Sequence, residues 1–148
     1  MAQIKKVSGV TTGTDIYNVA GLVGIGTTTP VAKLDINGSL SLPTTYLGDG
    51  ASLWSHTAST NDYFFECESS GQNVEIELPP LATSYGTVYC FKKVVAANSI
   101  IIDTYSGDYW DDDTGNPASL SLTANGETIF IIAASRWRTM SKGTFRNT

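Results

Sequence analysis

The chain has 148 residues, 41% of them hydrophobic and only 16% charged, with a formal net charge of −5. That length suits one domain with an appendage, and a charge content below the usual quarter or so fits a chain that hides much of its surface in subunit contacts. Residues 1–60 balance three basic against three acidic side chains, whereas residues 61–148 hold six basic and eleven acidic ones, which excludes the basic footprint that nucleic acid demands.

The N-terminus has Lys5 and Lys6 but no apolar run behind them, so it is read as no secretory signal. Residues 1–20 are expected to form an anchoring segment. No stretch approaches the ~20 apolar residues of a membrane span, and no membrane insertion is expected. From residue 21 to 58 Gly, Thr, Ser, Pro and small apolar residues dominate, without the bulk to build a core. Within this region Val23-Gly24-Ile25-Gly26-Thr27-Thr28-Thr29-Pro30 runs on to Lys33-Leu34-Asp35-Ile36-Asn37-Gly38. The Gly24-Ile25-Gly26 triplet has no GxGxxG continuation and opens no helix, so a dinucleotide loop is rejected. Glycine allows close approach of backbones near an axis, with Ile25, Leu34 and Ile36 pointing inward among neighbouring chains and Trp54 packing between chains where the extended part ends.

Beyond a small-polar boundary near 55–61, alternation replaces this pattern. Tyr63, Phe65 and Cys67 alternate with Glu66 and Glu68, and Val74, Ile76 and Leu78 alternate with Glu75 and Glu77. Both segments predict half-buried strands of an antiparallel sheet. Further strands are expected over 87–95, 99–103, 119–122, 127–133 and 137–141, with Asn125-Gly126 as the strongest hairpin signal. Seven short strands separated by turn signals predict a β-sandwich or jelly-roll-like domain over 59–148. Cys67 and Cys90 stand 23 positions apart in strands and read as buried free thiols of a protein folded in a reducing cytoplasm.

Chemistry-bearing residues are few. His56 is the only histidine, which removes a His-based zinc site; no metal site and no cofactor is expected. Asp103, Asp108 and Asp111-Asp112-Asp113 lack the spacing of a calcium loop and read as solvated. The pairs Glu66/Glu68 and Glu75/Glu77 imitate the two carboxylates of a glycosidase, but alternating acids usually protect exposed strands. A Ser/His/Asp set would have to use His56 in the linker. No catalytic residue is assigned and the chain is expected not to be an enzyme. Tyr105, Tyr109 and Trp110 beside Asp111 offer rings for stacking and oxygens for hydroxyls, the chemistry of a surface that holds a glycan; Trp110 and Tyr109 also fit a core or intersubunit position, and Trp137 fits the core.

The segment Val23–Gly38 resembles the "VGIGTxxPxxKLDVxG" element of bacteriophage tail fibres and related virion fibre proteins. Residues 59–148 are similar, more loosely, to a small β-structured fibre tip, through Ile76-Glu77-Leu78-Pro79, Gly86-Thr87-Val88-Tyr89 and Arg136-Trp137. The resemblance implies an all-β protein with a short intertwined trimeric stalk over 21–58 followed by the knob. It implies a homotrimer located on the virion, folded in the host bacterial cytoplasm, held to other virion proteins by residues 1–20 and attached to a bacterial surface glycan or protein. The alternative is a capsid decoration protein, or head fibre, without receptor specificity of its own.

Overall fold

The computed structural model describes residues 16–48, 54–95, 97–111 and 119–144, which excludes most of the expected anchoring segment, Asp112 and Asp113. The protein is all-β: the described residues form twelve strands and one four-residue helix. The chain divides into two units, Met1–Ser41 and Leu42–Thr148.

In the first unit, strands β1 (Ile16–Val19) and β2 (Leu22–Ile25) form an antiparallel hairpin. Its turn, Ala20-Gly21, has φ of 53° and 83°, the two positive values that a type I′ connection requires. Strand β3 (Leu34–Ile36) then lies parallel to β2, with Val23 beside Leu34 and Ile25 beside Ile36. A parallel pair normally needs a crossover of about a dozen residues or more, and residues 26–33 manage it in fewer. The two glycines make this possible. A Cβ on Gly24 would stand 2.3 Å from the Thr27 carbonyl oxygen, and Gly26 adopts φ +70° with its Cβ position 2.8 Å from the Asn37 carbonyl oxygen. The close backbone approach expected between chains is therefore present within one chain. The crossover is fastened by Val31 N donating to the Asp35 carboxylate at 3.0 Å and by Asn37 N donating to the Ile25 carbonyl at 2.8 Å.

The second unit begins earlier than the expected boundary at 58/59, because β4 (Thr44–Gly48) and β5 (Ser55–Thr57) belong to its sheets. They are followed by β6 (Phe64–Glu68), β7 (Val74–Glu77), helix α1 (Leu81–Ser84), β8 (Val88–Lys93), β9 (Ile100–Asp103), β10 (Ser119–Leu122), β11 (Glu127–Ala133) and β12 (Trp137–Thr144). Two sheets result, in the orders β12-β11-β8-β6-β4 and β10-β9-β7-β5. The chain steps from one sheet to the other at each strand from β4 to β9. The pairs β4–β6–β8 and β5–β7–β9 are all parallel. The register offset is 20 residues between the first and second passes and 26 between the second and third, identical in both sheets. This is a three-pass parallel coil closed by antiparallel strands, β10 on β9 and β11 on β8, with β12 on β11.

The expected strands are all present, but the antiparallel pairing expected for 63–67 and 74–78 is corrected: β6 and β7 have parallel partners on both sides. Alternation records which face is buried and is blind to the direction of the neighbour. Connectivity thus differs from the hairpins of a jelly roll, while the two-layer sandwich holds. Asn125-Gly126 is corrected as well. The strands on either side lie in different sheets, and the turn, closed by Glu127 N donating to the Ala124 carbonyl, carries the chain across the sandwich. Gly126 takes φ +74° while Asn125 does not share a positive φ, so this is not the doubly positive type I′ turn.

Parallel registration places like positions in columns through the core. Phe65 stacks on Phe91 with ring centroids 4.7 Å apart and planes 9° from parallel. In the facing sheet Val74, Ile100 and Leu122 share one column and Ile76, Ile102 and Leu120 the next. Burying each such side chain contributes about 1.5–3 kcal/mol. Lys93 occupies an inward position in the same row as Cys67 and is fully buried. Its ammonium donates to Ser69 Oγ and to the Ala97 carbonyl, each at 2.6 Å, pinning two successive corners at one end of the coil. Cys67 and Cys90 are free and buried; Cys67 registers with Lys93 on the inner face, and Cys90 with Phe64 on the outer, so the sheet separates them.

Candidate functional site

At the end of the sandwich opposite Lys93, the connections 78–87, 104–111 and 134–136 meet, because the parallel strands β7 and β9 end there, β8 starts there and the antiparallel β11 ends there. Hydrogen bonds join them. Asp108 Oδ2 accepts from Leu81 N at 2.9 Å, Gly86 N donates to the Ala133 carbonyl at 2.7 Å, and Trp137 N donates to the Tyr109 carbonyl at 2.9 Å. Asp111 N donates to the Trp137 carbonyl at 2.8 Å, so residues 109–111 run as a short parallel bridge beside β12. Asp108 N closes a turn on the Tyr105 carbonyl, and Thr104 Oγ1 donates to the Asp108 carbonyl at 3.1 Å.

This frame sorts the expected glycan contacts. Tyr105 and Tyr109 are 43% and 50% exposed. Asp111 lies at the surface, its Oδ2 2.8 Å from Arg138 Nε and its Oδ1 4.0 Å from Arg136. Trp110 is corrected: it is 2% exposed, part of the hydrophobic core, and cannot present a face to a ligand. Along a short bridge the side chains alternate, so Tyr109 and Asp111 point out and Trp110 points in. Trp137 is fully buried beside Tyr89, ring centroids 5.9 Å apart. Sequence reasoning missed Tyr85, which is 78% exposed and follows α1 in the same loop cluster. Its only signal is a bulky aromatic placed directly before a turn glycine, Gly86, with φ +85°.

The other candidates fall elsewhere. His56, Ser59 and Asp62 do come together, but the carboxylate sits in the middle: Asp62 Oδ2 accepts from Ser59 N at 2.8 Å and Ser59 Oγ at 2.9 Å, and stands 3.5 Å from His56 Nε2. A base must touch the hydroxyl it activates, and His56 instead meets the ring of Phe65 edge-on. Thr45 Oγ1 completes the cluster at 2.9 Å from Asp62 Oδ1. Burial alone would raise the Asp62 pKa, but the hydrogen bonds from Ser59 and Thr45, with the His56 ring beside them, outweigh it and hold the carboxyl below its ordinary value. The cluster ties the first two passes of the coil together. Glu75 and Glu77 are exposed on the outer face of their sheet, with Glu77 beside Asp103 in register. No group of three or more His, Cys, Asp or Glu among the described residues is placed to hold a metal ion.

In the first unit, the pleat puts Val23 and Ile25 of β2, Leu34 and Ile36 of β3, and Ile16 of β1 on one face. Leu34 is 57% and Ile16 48% exposed, the other three are half-buried, and none joins the hydrophobic core. The expected contacts Ile25, Leu34 and Ile36 are thus brought together. Trp54 belongs to the second unit, where it packs half-buried against the hydrophobic core, its carbonyl accepting from Glu75 N. No protein-family model and no curated protein matches the chain.

Proposed function

We propose that the chain is a homotrimeric fibre protein of a bacteriophage particle, structural in role, whose second unit is a knob turned toward the host surface. The observation that carries this reading is the apolar face of the first unit. A sheet needs a second layer to bury its hydrophobic side, and an isolated small sheet is marginal in water. Ile16, Val23, Ile25, Leu34 and Ile36 form such a side on a unit whose described residues join no hydrophobic core. The segment Val23–Gly38 that resembles fibre shafts supplies four of these five side chains. In this reading three copies set these faces together around an axis, and stability is inseparable from assembly. The free buried thiols fit folding in a bacterial cytoplasm before release on the virion. Three knobs on one stalk convert weak contacts into firm attachment.

Sedimentation equilibrium tests the assembly. Three chain masses are expected for the native protein, with dissociation in Leu34→Asp and Ile36→Asp; a single-chain mass across the accessible concentrations overturns the reading. Fluorescent protein should bind host cells, and antibody-labelled particles should carry it at the tail. Labelling confined to the capsid, with no binding to cells, would make it a decoration protein instead.

A further inference from the structure

We infer that the end of the second unit carrying Tyr85, Tyr105 and Tyr109 is a binding surface for neutral polysaccharide. The inference rests on reading this unit as an outward-facing knob and names what its surface would hold. Tyrosine presents an apolar ring face with a polar tip, which matches the alternation of C–H faces and hydroxyl edges on a pyranose. The exposed large hydrophobic side chains described in the second unit are Leu42, Tyr46, Tyr85, Tyr105, Tyr109 and Met140; three of the six lie in this one loop cluster.

The rings stand on a frame already fixed without ligand. Tyr85 adjoins Gly86, bonded to Ala133; Tyr105 accepts from Asp108, whose carboxylate holds Leu81; Tyr109 accepts from Trp137. Little ordering is left for a ligand to impose. Beside the rings, Asp111 is an acceptor for sugar hydroxyls, and the guanidiniums of Arg136 and Arg138, both more than half exposed, retain donors beyond those facing Asp111. Charge selects among sugars. Asp108 and Asp111 offset Arg136 and Arg138, leaving no local positive excess, while the chain as a whole carries −5. A polyanion gains nothing here and is repelled at longer range; a neutral glycan loses nothing.

The test is retention of the full chain on immobilised dextran, mannan and galactan, with polygalacturonate and hyaluronate as anionic arms. Retention on at least one neutral polymer is expected, insensitive to salt, and weakened about tenfold by Tyr105→Ala or Tyr109→Ala and measurably by Tyr85→Ala. Tyr46→Ala, a tyrosine elsewhere on the unit, should bind as the native protein does, and all four variants should keep the native far-UV circular dichroism. Retention only on the anionic polymers, on none of the five, or unaltered in the triple tyrosine variant overturns the inference. Trimer mass and adhesion to host cells are measured alongside: a trimeric triple variant that still adheres refutes this surface and leaves the fibre reading intact.

Discussion

Replacing Phe65 and Phe91 singly and together probes the parallel coil at its centre. Both rings are fully buried and stack at 4.7 Å across β6 and β8. Truncation of Phe65 to alanine should cost about 3–5 kcal/mol, the usual loss for a buried phenylalanine, a large share of the ~5–15 kcal/mol available to a domain. For a unit of this size that lowers Tm by roughly 3–6 °C per kcal/mol. The more discriminating variants are Phe65→Leu, Phe91→Leu and the pair. Each single change removes one ring and leaves the other facing a smaller partner, about 1–2 kcal/mol. The double variant should fall short of the sum by about 0.5–1.5 kcal/mol, the coupling of one aromatic pair. Urea unfolding at one fixed protomer concentration, followed by circular dichroism, supplies the four free energies. Strict additivity would show that the rings are not neighbours and would refute the parallel register of β6 on β8.

Other perturbations follow from particular contacts. Gly48 has φ +111°, and a Cβ there would lie 1.7 Å from the Glu68 carbonyl oxygen of the paired strand; Gly48→Ala should destabilise by about 2 kcal/mol or more in thermal melts. Asp103 has its pKa raised by burial, then by Glu75 and Glu77. Its folded form therefore binds a proton more readily than the unfolded chain, so Asp103→Asn should raise Tm at neutral pH, with the gain fading as pH falls below the unfolded carboxyl value. Glu127 has the opposite sign: burial would raise it, but Lys142 and the amides of Ala124 and Thr123 hold it below its ordinary value. Its stabilisation is present above the unfolded pKa and is lost as pH falls through the folded one, so Glu127→Gln should be less stable at pH 7 and have a flatter acid limb. Burial pushes the Cys67 thiol up to about 12 and the Cys90 thiol up to about 11; iodoacetamide should label neither in the native protein and both in urea.

Strand positions were legible because alternation survives whatever pairs with it: Phe65 and Cys67 face inward in a parallel sheet as they would in an antiparallel one. The direction of pairing was not legible, since it depends on the length of the corners and on a long-range offset that no local window contains. Asn125-Gly126 misled for the same reason, a turn signal being indifferent to whether it reverses a strand or crosses a sandwich. In the surface cluster, Tyr109 and Asp111 could be read from composition. The inward turn of Trp110 depends on its bridge to Trp137, and Tyr85 depends on a corner that sequence proximity does not connect to Tyr105.

The change of offset from 20 to 26 residues between passes has an evolutionary corollary. The additional residues fall mainly in the connection between β7 and β8, which holds α1 and Tyr85, while the columns of the core stay in register on both sides. Length gained at that corner leaves the strand columns in register, and within residues 78–87 only Leu78, Pro79 and Ser84 are buried. The corner that carries Tyr85 can thus vary in length while the lysine-pinned corners across the sandwich stay as they are.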